Sequence, residues 1–271
     1  MDLEWHKSTS RFPFRLGTTS YVFPADLVAN AEALSCLVDD IELVLFEIEG
    51  NSNLPDRKTI RALRSLARDS GLSYTVHFPS GIRLGTAEEG VRRKSVETCL
   101  RVFEETLPLE PAAYILHFEG DQRGPVPSGD MNRWLATLEH SLDELLRAGL
   151  PSDSTCVESL DYPFELVEAI VMDRDLSICL DIGHLFFYGY PLAPYLDRYA
   201  ERCRVFHLHG IEDGEDHRHI RSIPHSELSH FLSSFDSASD CRRIVTLEVF
   251  SEDDLVQSLE VLNRALNREK G

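Results

Sequence analysis

The chain has 271 residues, 42% of them hydrophobic, and carries 46 Asp and Glu residues against 27 Lys and Arg, a formal net charge of -19 at pH 7. This length suits one (β/α)8 barrel, which typically needs roughly 250 residues. A surface this acidic repels a polyanionic backbone, and the basic residues form no continuous stripe, so we expect no nucleic-acid partner.

The N-terminal segment, Met1-Asp2-Leu3-Glu4-Trp5, lacks the basic and apolar regions of a signal peptide. No apolar run approaches the roughly 20 residues of a membrane-spanning helix. We therefore predict a soluble, cytoplasmic protein with no membrane partner, and leave its oligomeric state open. The cysteines form no CxxC pair and fall in predicted helices or strands, which favours reduced core thiols. They are Cys36, Cys99, Cys156, Cys179, Cys203 and Cys241.

Strand and helix signals alternate eight times along the chain. Near-continuous apolar runs, typical of strands covered on both faces, predict strands at 14–19, 41–47, 73–78, 113–118, 155–158, 177–181, 205–209 and 244–249. Helical periodicity predicts helices at 24–36, 55–70, 88–106, 130–148, 164–172, 192–203, 225–235 and 252–267. We predict an α/β fold, a single (β/α)8 TIM-barrel domain over residues 1–271 with an N-terminal extension at 1–12. A doubly wound open sheet is the alternative, because alternation does not prove closure.

Metal-competent side chains stand at the ends of successive predicted strands. One histidine at such a place is more often a hydrogen-bonded core residue than a ligand. Here the placement recurs on six strands, at His77, His117, Glu158, Asp181, His207 and Glu248. The C-terminal strand ends of a parallel barrel meet at one mouth, where so many titratable groups would be costly without a cation.

Further candidate ligands follow the sixth and seventh strands. Asp181 and His184 are separated by Ile182 and Gly183, and the glycine allows a tight turn that presents both side chains to one cavity. His207 and His209 lie on the same face of a strand, because side chains alternate. The next loop contains His217 and His219 at the same spacing, although a solvated charged loop would explain it equally well.

The order and spacing of these candidate ligands resemble the pattern of the xylose-isomerase-like barrel superfamily. That superfamily includes endonuclease IV-type phosphodiesterases and sugar isomerases or epimerases. The resemblance implies two or three divalent ions, zinc or manganese. One would be held by His77, His117 and Glu158, and a second by Glu158, Asp181, His207 and Glu248. His184, His217 and His219 would hold the third. His217 replaces an aspartate of the endonuclease IV pattern, and Asp216 is the alternative ligand.

The epimerase branch is the rival within the same resemblance. Those enzymes use one divalent ion at positions that resemble Glu158, Asp181, His207 and Glu248, and two glutamates move a proton beside a carbonyl group. They do not require the additional histidines, whereas a multinuclear phosphodiesterase uses them to hold phosphate oxygens and activate water. The extra ligands favour phosphoester hydrolysis by a metal-dependent hydrolase. A third hypothesis is a non-catalytic corrinoid or sugar-phosphate binding protein.

A closer similarity narrows the expected substrate. Residues 16–26 and 38–47 are similar to bacterial cobamide-remodelling phosphodiesterases, which cleave the nucleotide-loop phosphodiester of corrinoid cofactors during salvage. A cobamide carries many amides and a single phosphodiester, so an acidic surface does not hinder its binding.

Five other residues complete the predicted site. Glu158, Glu248 and Glu47 are the candidate catalytic carboxylates, although a salt bridge explains Glu47 equally well. Tyr21 and Tyr188 lie in loops where they could pack on a flat macrocycle, or simply pack within the loops. Arg83 and Arg123 are candidate phosphate or amide contacts, although loop arginines are usually solvated.

Overall fold

A computed structural model describes residues 12–48, 51–127, 130–235 and 242–268. Eight parallel strands close into a barrel, in the order β1, β2, β5, β6, β7, β8, β9 and β12. Their bounds are β1 Arg15–Thr19, β2 Asp40–Val44, β5 Ser73–His77, β6 Ala113–Leu116, β7 Thr155–Glu158, β8 Ser177–Asp181, β9 Cys203–Leu208 and β12 Ile244–Leu247. Two antiparallel hairpins project after β2 and β9, namely β3 Glu47–Ile48 with β4 Asn51–Ser52, and β10 Gly210–Glu212 with β11 Glu215–Arg218.

Helices surround the barrel. They are α1 Leu27–Leu34, α2 Arg57–Ser70, α3 Glu89–Thr106, α4 Met131–Arg147, α5 Glu168–Asp173, α6 Ile182–Tyr188, α7 Leu192–Tyr199, α8 His225–Ser233 and α9 Glu252–Arg268. Capping side chains set the start of α1 and α2, where Asp26 and Asp56 each accept a backbone N–H at 2.9 and 2.7 Å. Gly71 ends α2 in the left-handed conformation (φ 65°). Within the described ranges, no helix is both long and apolar enough to span a membrane.

The inside of the barrel is layered. Its lower layer is an apolar cluster of Ala113, Ile115, Cys156, Cys179, Val205 and Ile244. Because strand side chains alternate between faces, the residues two positions further along four of these strands also point inward. They are His117, Glu158, Asp181 and His207, all at the C-terminal end of the barrel.

The predicted barrel is confirmed, and the open-sheet alternative is wrong because β1 pairs with both β2 and β12. Each predicted strand and helix segment overlaps an observed element, with most boundaries shifted by a few residues. The prediction missed α6, which begins directly after Asp181, and both hairpins. The predicted N-terminal extension lies outside the described residues, apart from Phe12.

Four of the predicted core cysteines are buried, namely Cys99, Cys156, Cys179 and Cys203. The prediction was wrong for Cys36, which is exposed just past the end of α1. Cys241 lies outside the described residues.

Candidate metal centre at the mouth of the barrel

Glu158 is the centre of the cluster. Its Oε2 lies 3.0 Å from Nε2 of His117 and 3.3 Å from Nε2 of His77. The carboxylate is 1% exposed, and both histidines come from the ends of the two preceding barrel strands. Their rings meet edge to face, with centroids 4.9 Å apart. These three ligand atoms lie close enough together to hold one cation.

A second group shares Glu158. Nδ1 of His207 lies 3.0 Å from Oε2 of Glu248, and 3.7 Å from both Oε2 of Glu158 and Oδ2 of Asp181. All four side chains are buried. Glu158 can therefore serve two neighbouring ions, as a bridging carboxylate does.

Unsatisfied polar atoms test whether a cation suits this place. Oδ2 of Asp181, Nδ1 of His207 and Oε2 of Glu248 are buried, and none makes a hydrogen bond of good geometry within the described residues. Orphaned acceptors are expensive in a protein interior, and three of them converge on one point. A divalent ion with nitrogen and oxygen ligands fits this donor set.

The turn after β8 places His184 against both carboxylate oxygens of Asp181. Oδ1 of Asp181 caps α6 by accepting the backbone N–H of His184 at 2.8 Å, while Oδ2 lies 3.1 Å from Nδ1 of His184. Gly183 is needed for packing, because a Cβ there would stand 2.2 Å from the ring of His209. The turn thus presents Asp181 and His184 together and leaves room for the His209 ring.

A third histidine group lies beside these residues. Ligand atoms of His184, His209 and His217 are within 4.8 Å of one another. The rings of His209 and His217 stack at 4.2 Å, and Nδ1 of His209 accepts the backbone N–H of His217 at 2.9 Å. Nε2 of His209 lies 3.1 Å from Oδ1 of Asp181. Nε2 of His209 makes no hydrogen bond of good geometry within the described residues, so all three histidines of this group offer a donor nitrogen.

The outward ring nitrogens of several histidines are held by acceptors. Nδ1 of His77 donates to the carbonyl of Phe78 at 2.7 Å, and Nδ1 of His117 lies 3.3 Å from Oε1 of Glu119. Asp216 lies 3.1 Å from Nδ1 of His217. Such partners fix the ring orientation and aim the other nitrogen at a metal.

The electrostatic coupling within the cluster is strong. Burial raises the pKa of Glu158, but the His117 and His207 rings outweigh this and hold that pKa well below its usual range. Burial lowers the pKa of His117, whereas Glu158 and Glu119 raise it, to about 10 overall. Burial and Glu248 act in the same opposing way on His217, and its pKa also rises to about 10. Metal binding at these residues must therefore displace protons.

Two predicted site residues are not brought into the cluster. Glu47 begins β3 beyond the end of the barrel strand and forms an ion pair with Arg101 of α3. Nε2 of His219 lies 3.5 Å from Glu212, and its backbone N–H donates to Asp254 at 2.9 Å. The expected third site of His184, His217 and His219 is therefore not assembled in this arrangement.

The predicted substrate residues divide into two kinds. Tyr21 and Tyr188 are 47% and 43% exposed at the mouth, and Tyr21 lines the cavity above Glu158. Arg83 lies 3.3 Å from Asp121, and Arg123 lies 2.7 Å from Oε2 of Glu119. The two arginines are thus engaged by carboxylates, and Arg123 supports the partner of His117.

The structure adds two polar residues, Glu119 and Glu42, and gives His209 a supporting place beside Asp181. His209 supports Asp181, Glu119 supports His117, and Glu42 lies 2.9 Å from Nε2 of His207. The signal for His209 was present, since it lies two residues after His207. Glu42 gave a weaker signal, as a carboxylate between the apolar residues Ile41 and Leu43.

Two cavities meet at the mouth. One, of about 590 Å³, is lined by His77, His117, Glu158, His184, His217 and Glu248 together with aromatic and apolar side chains. A second, of about 720 Å³, lies over the first turns of α1 and α2. Tyr21 and Phe46 line both, with ring centroids 6.4 Å apart.

Residues 37–265 match the sequence profile of a family described as xylose isomerase-like TIM barrel. A search of curated proteins found no match. Among solved structures, a D-tagatose 3-epimerase-like protein is similar at 20% identity and a TM-score of 0.75, covering 95% of this chain and 100% of that one. Endonuclease IV from Thermus thermophilus is similar at 22% identity and a TM-score of 0.70, covering 94% and 99%. The 3-keto-D-glucoside 4-epimerase from E. coli is similar at 14% identity and a TM-score of 0.67, covering 93% and 98%. At these identities, the structural likeness establishes the fold alone.

Proposed function

Because the chain belongs to the xylose isomerase-like TIM barrel family, we propose that the barrel mouth holds two or three divalent ions and hydrolyses a phosphodiester. The observation that carries this proposal is the sharing of Glu158 between two ligand groups. One group is completed by His77 and His117, and the other by Asp181, His207 and Glu248. A single-ion site would be complete with the second group, so the first group has no role in it.

The chemistry follows from this arrangement. Bound divalent ions would offset the charge on phosphate oxygens and lower the pKa of water, which is what phosphodiester hydrolysis needs. Glu248 and His217 form a carboxylate and imidazole pair, with Oε2 and Nε2 3.4 Å apart, next to the cavity. Glu248 could accept the proton lost by water on the carboxylate oxygen that binds no ion and return it to the departing alkoxide.

A third ion would be held by histidines alone. His184, His209 and His217 are the available donors, because their ligand atoms lie within 4.8 Å of one another. Asp216, which lies 3.1 Å from Nδ1 of His217, is the nearest additional carboxylate. We therefore propose two firmly held ions and a weaker third one.

The size of the mouth supports a large substrate. The ligand-lined cavity and its neighbour share Tyr21 and Phe46 as a common wall, and together they offer space far beyond that of one monosaccharide. The aromatic wall suits a flat macrocycle, and the second cavity has the carboxylates of Asp26 and Asp56 for amide groups. Together with the similarity of residues 16–26 and 38–47, this favours a cobamide as the substrate.

The decisive experiment is incubation of the metal-loaded protein with a complete cobamide, followed by mass spectrometry. Loss of the nucleotide lower ligand in the wild type, but not in Glu158→Gln, supports the proposal. Parallel incubations contain a ketose and an abasic-site DNA duplex. Cleavage of the DNA alone would keep phosphodiester hydrolysis but refute the substrate, and turnover of the ketose alone would refute the reaction.

Ketose epimerisation is the second candidate function. Glu158, Asp181, His207 and Glu248 form a complete four-ligand site for one ion. Both glutamates reach Nδ1 of His207, at 3.7 and 3.0 Å, so two carboxylates flank a common point, as a two-base proton transfer requires. An epimerase would bind one ion tightly per chain, and its turnover would not depend on His77 or His117.

A further inference from the structure

Glu42 is a buried carboxylate that the proposed reaction does not use. It lies in the middle of β2, where alternation points its side chain into the barrel. Its neighbours in register are Thr19 on β1 and Thr75 on β5. The side chain is 0% exposed, and an ionised carboxylate in such a place is costly unless it is hydrogen-bonded.

The partner of Glu42 is across the barrel. Oε2 of Glu42 lies 2.9 Å from Nε2 of His207, whose side chain is also 0% exposed. A carboxylate can only accept this hydrogen bond, so the proton is on Nε2 of His207. The lone pair of a neutral His207 ring is then on Nδ1.

The other side of the ring faces the centre. Nδ1 of His207 is one of the orphaned buried atoms, and it stands within 3.7 Å of Glu158, Asp181 and Glu248. Rotating the ring or exchanging its tautomer would place a proton where the ligand atom is needed. The contact with Glu42 opposes both changes.

We propose that Glu42 is a positioning residue that fixes the tautomer and orientation of His207, so that Nδ1 serves as a metal ligand. This inference rests on the proposed metal centre, but it does not depend on which reaction the centre performs. It assigns the same role on β2 that Glu119 has towards His117. Loss of such an outer partner typically weakens metal affinity about 10- to 100-fold.

A direct metal contact is the competing role for Glu42, because its ligand atom is within 4.8 Å of those of His77 and Glu248. Two substitutions separate the roles. Glu42→Gln retains an oxygen that accepts the Nε2 proton, whereas Glu42→Ala removes the acceptor. Positioning predicts that Glu42→Gln stays within a few-fold of the wild type while Glu42→Ala loses about 10- to 100-fold in affinity for one ion.

The matched control is Asp40→Asn. Asp40 is also a fully buried carboxylate on β2, but it lies two residues earlier and hydrogen-bonds Ser73. Metal affinity is measured by competition with a chromophoric chelator, and folding by thermal unfolding with and without metal. Asp40→Asn should leave the metal affinity unchanged, whatever it does to stability.

The ring of His207 gives a second readout, independent of catalysis. Nitrogen-15 NMR of the metal-loaded wild type should show a protonated Nε2 and an unprotonated Nδ1, and the Nε2 proton signal should shift in Glu42→Gln. The inference would be overturned by a protonated Nδ1 or by an unchanged metal affinity in Glu42→Ala. It would also be overturned if Glu42→Gln or Asp40→Asn lost as much metal affinity as Glu42→Ala. Absence of cobamide cleavage would refute the proposed function and leave these results standing.

Discussion

Replacement of Glu158 by glutamine should weaken metal binding while leaving the fold of the barrel intact. The substitution keeps the shape of the side chain and removes its charge. Oxygens of Glu158 lie within 3.0 to 3.7 Å of nitrogens of four histidines, His77, His117, His184 and His207. Loss of even an outer partner costs a metal site about 10- to 100-fold in affinity. Loss of a ligand shared by two ions should cost at least that at each, so the combined affinity for the pair should fall about 10²- to 10⁴-fold, or about 3 to 6 kcal/mol.

Two measurements check this expectation. Elemental analysis after equilibrium dialysis should show the loss of both firmly held ions from Glu158→Gln, while the wild type and Asp40→Asn retain them. Hydrolysis of bis(p-nitrophenyl) phosphate should fall at least as much as metal occupancy. Near-normal hydrolysis by Glu158→Gln, at the metal concentration where the wild type is saturated, would refute the reasoning.

Four further predictions follow from individual contacts. Gly183→Ala should push the His209 ring away from Asp181 and weaken metal binding at least tenfold, as measured by competition with a chelator. The control Gly90→Ala should not change metal binding, because an added Cβ there meets nothing within 4 Å. Asp56→Ala removes the cap of α2 and should lower the free energy of unfolding, measured in urea, by about 0.5 to 2 kcal/mol without changing metal affinity. An unchanged stability would contradict the assigned cap. Tyr21→Ala should raise KM for the cobamide several-fold but leave hydrolysis of bis(p-nitrophenyl) phosphate unchanged, so an equal effect on both would exclude a role in large-substrate binding. Without metal, in the presence of chelator, the pKa of His117 is raised from 6.5 to about 10, so the stabilisation by its protonated ring should be complete below pH 6.5 and lost as the pH rises through about 10. The free energy of unfolding should therefore fall between pH 7 and 10, and by less in His117→Gln than in the wild type.

The fold could be predicted because its signal is local. Each apolar run and each amphipathic segment lies within about 20 residues, and alternation of the two is typical of a (β/α)8 barrel. The elements that were missed lack this signal. The helix α6 has only seven residues and is nearly all apolar, so it shows no polar face, and the hairpins have strands of two to four residues.

Residues at the strand ends could be predicted because the barrel itself brings them together. His77, His117, Glu158, Asp181, His207 and Glu248 meet at the mouth, as their positions in the sequence implied. Glu47 stood in a predicted strand that was too long, since β2 ends at Val44 and the chain then leaves the barrel towards Arg101. This small error at the strand end was enough to move the side chain out of the site.

The loop after β9 could not be predicted from spacing alone. Residues 217 and 219 would share a face in a regular strand, but His217 has a left-handed backbone (φ 55°) that breaks the alternation. The backbone N–H of His219 is fixed to Asp254 of α9, a contact over 35 residues of sequence. Glu42 and His207 are 165 residues apart, and only the closed barrel reveals that they touch.

The most direct test of the metal centre is a crystal structure of the metal-loaded protein with anomalous difference maps at the absorption edge of the metal. We expect at least two peaks that share Glu158, one held by His77 and His117 and the other by Asp181, His207 and Glu248. A single peak within the second group, with His77 and His117 bound to no ion, would contradict the multinuclear centre and favour the epimerase.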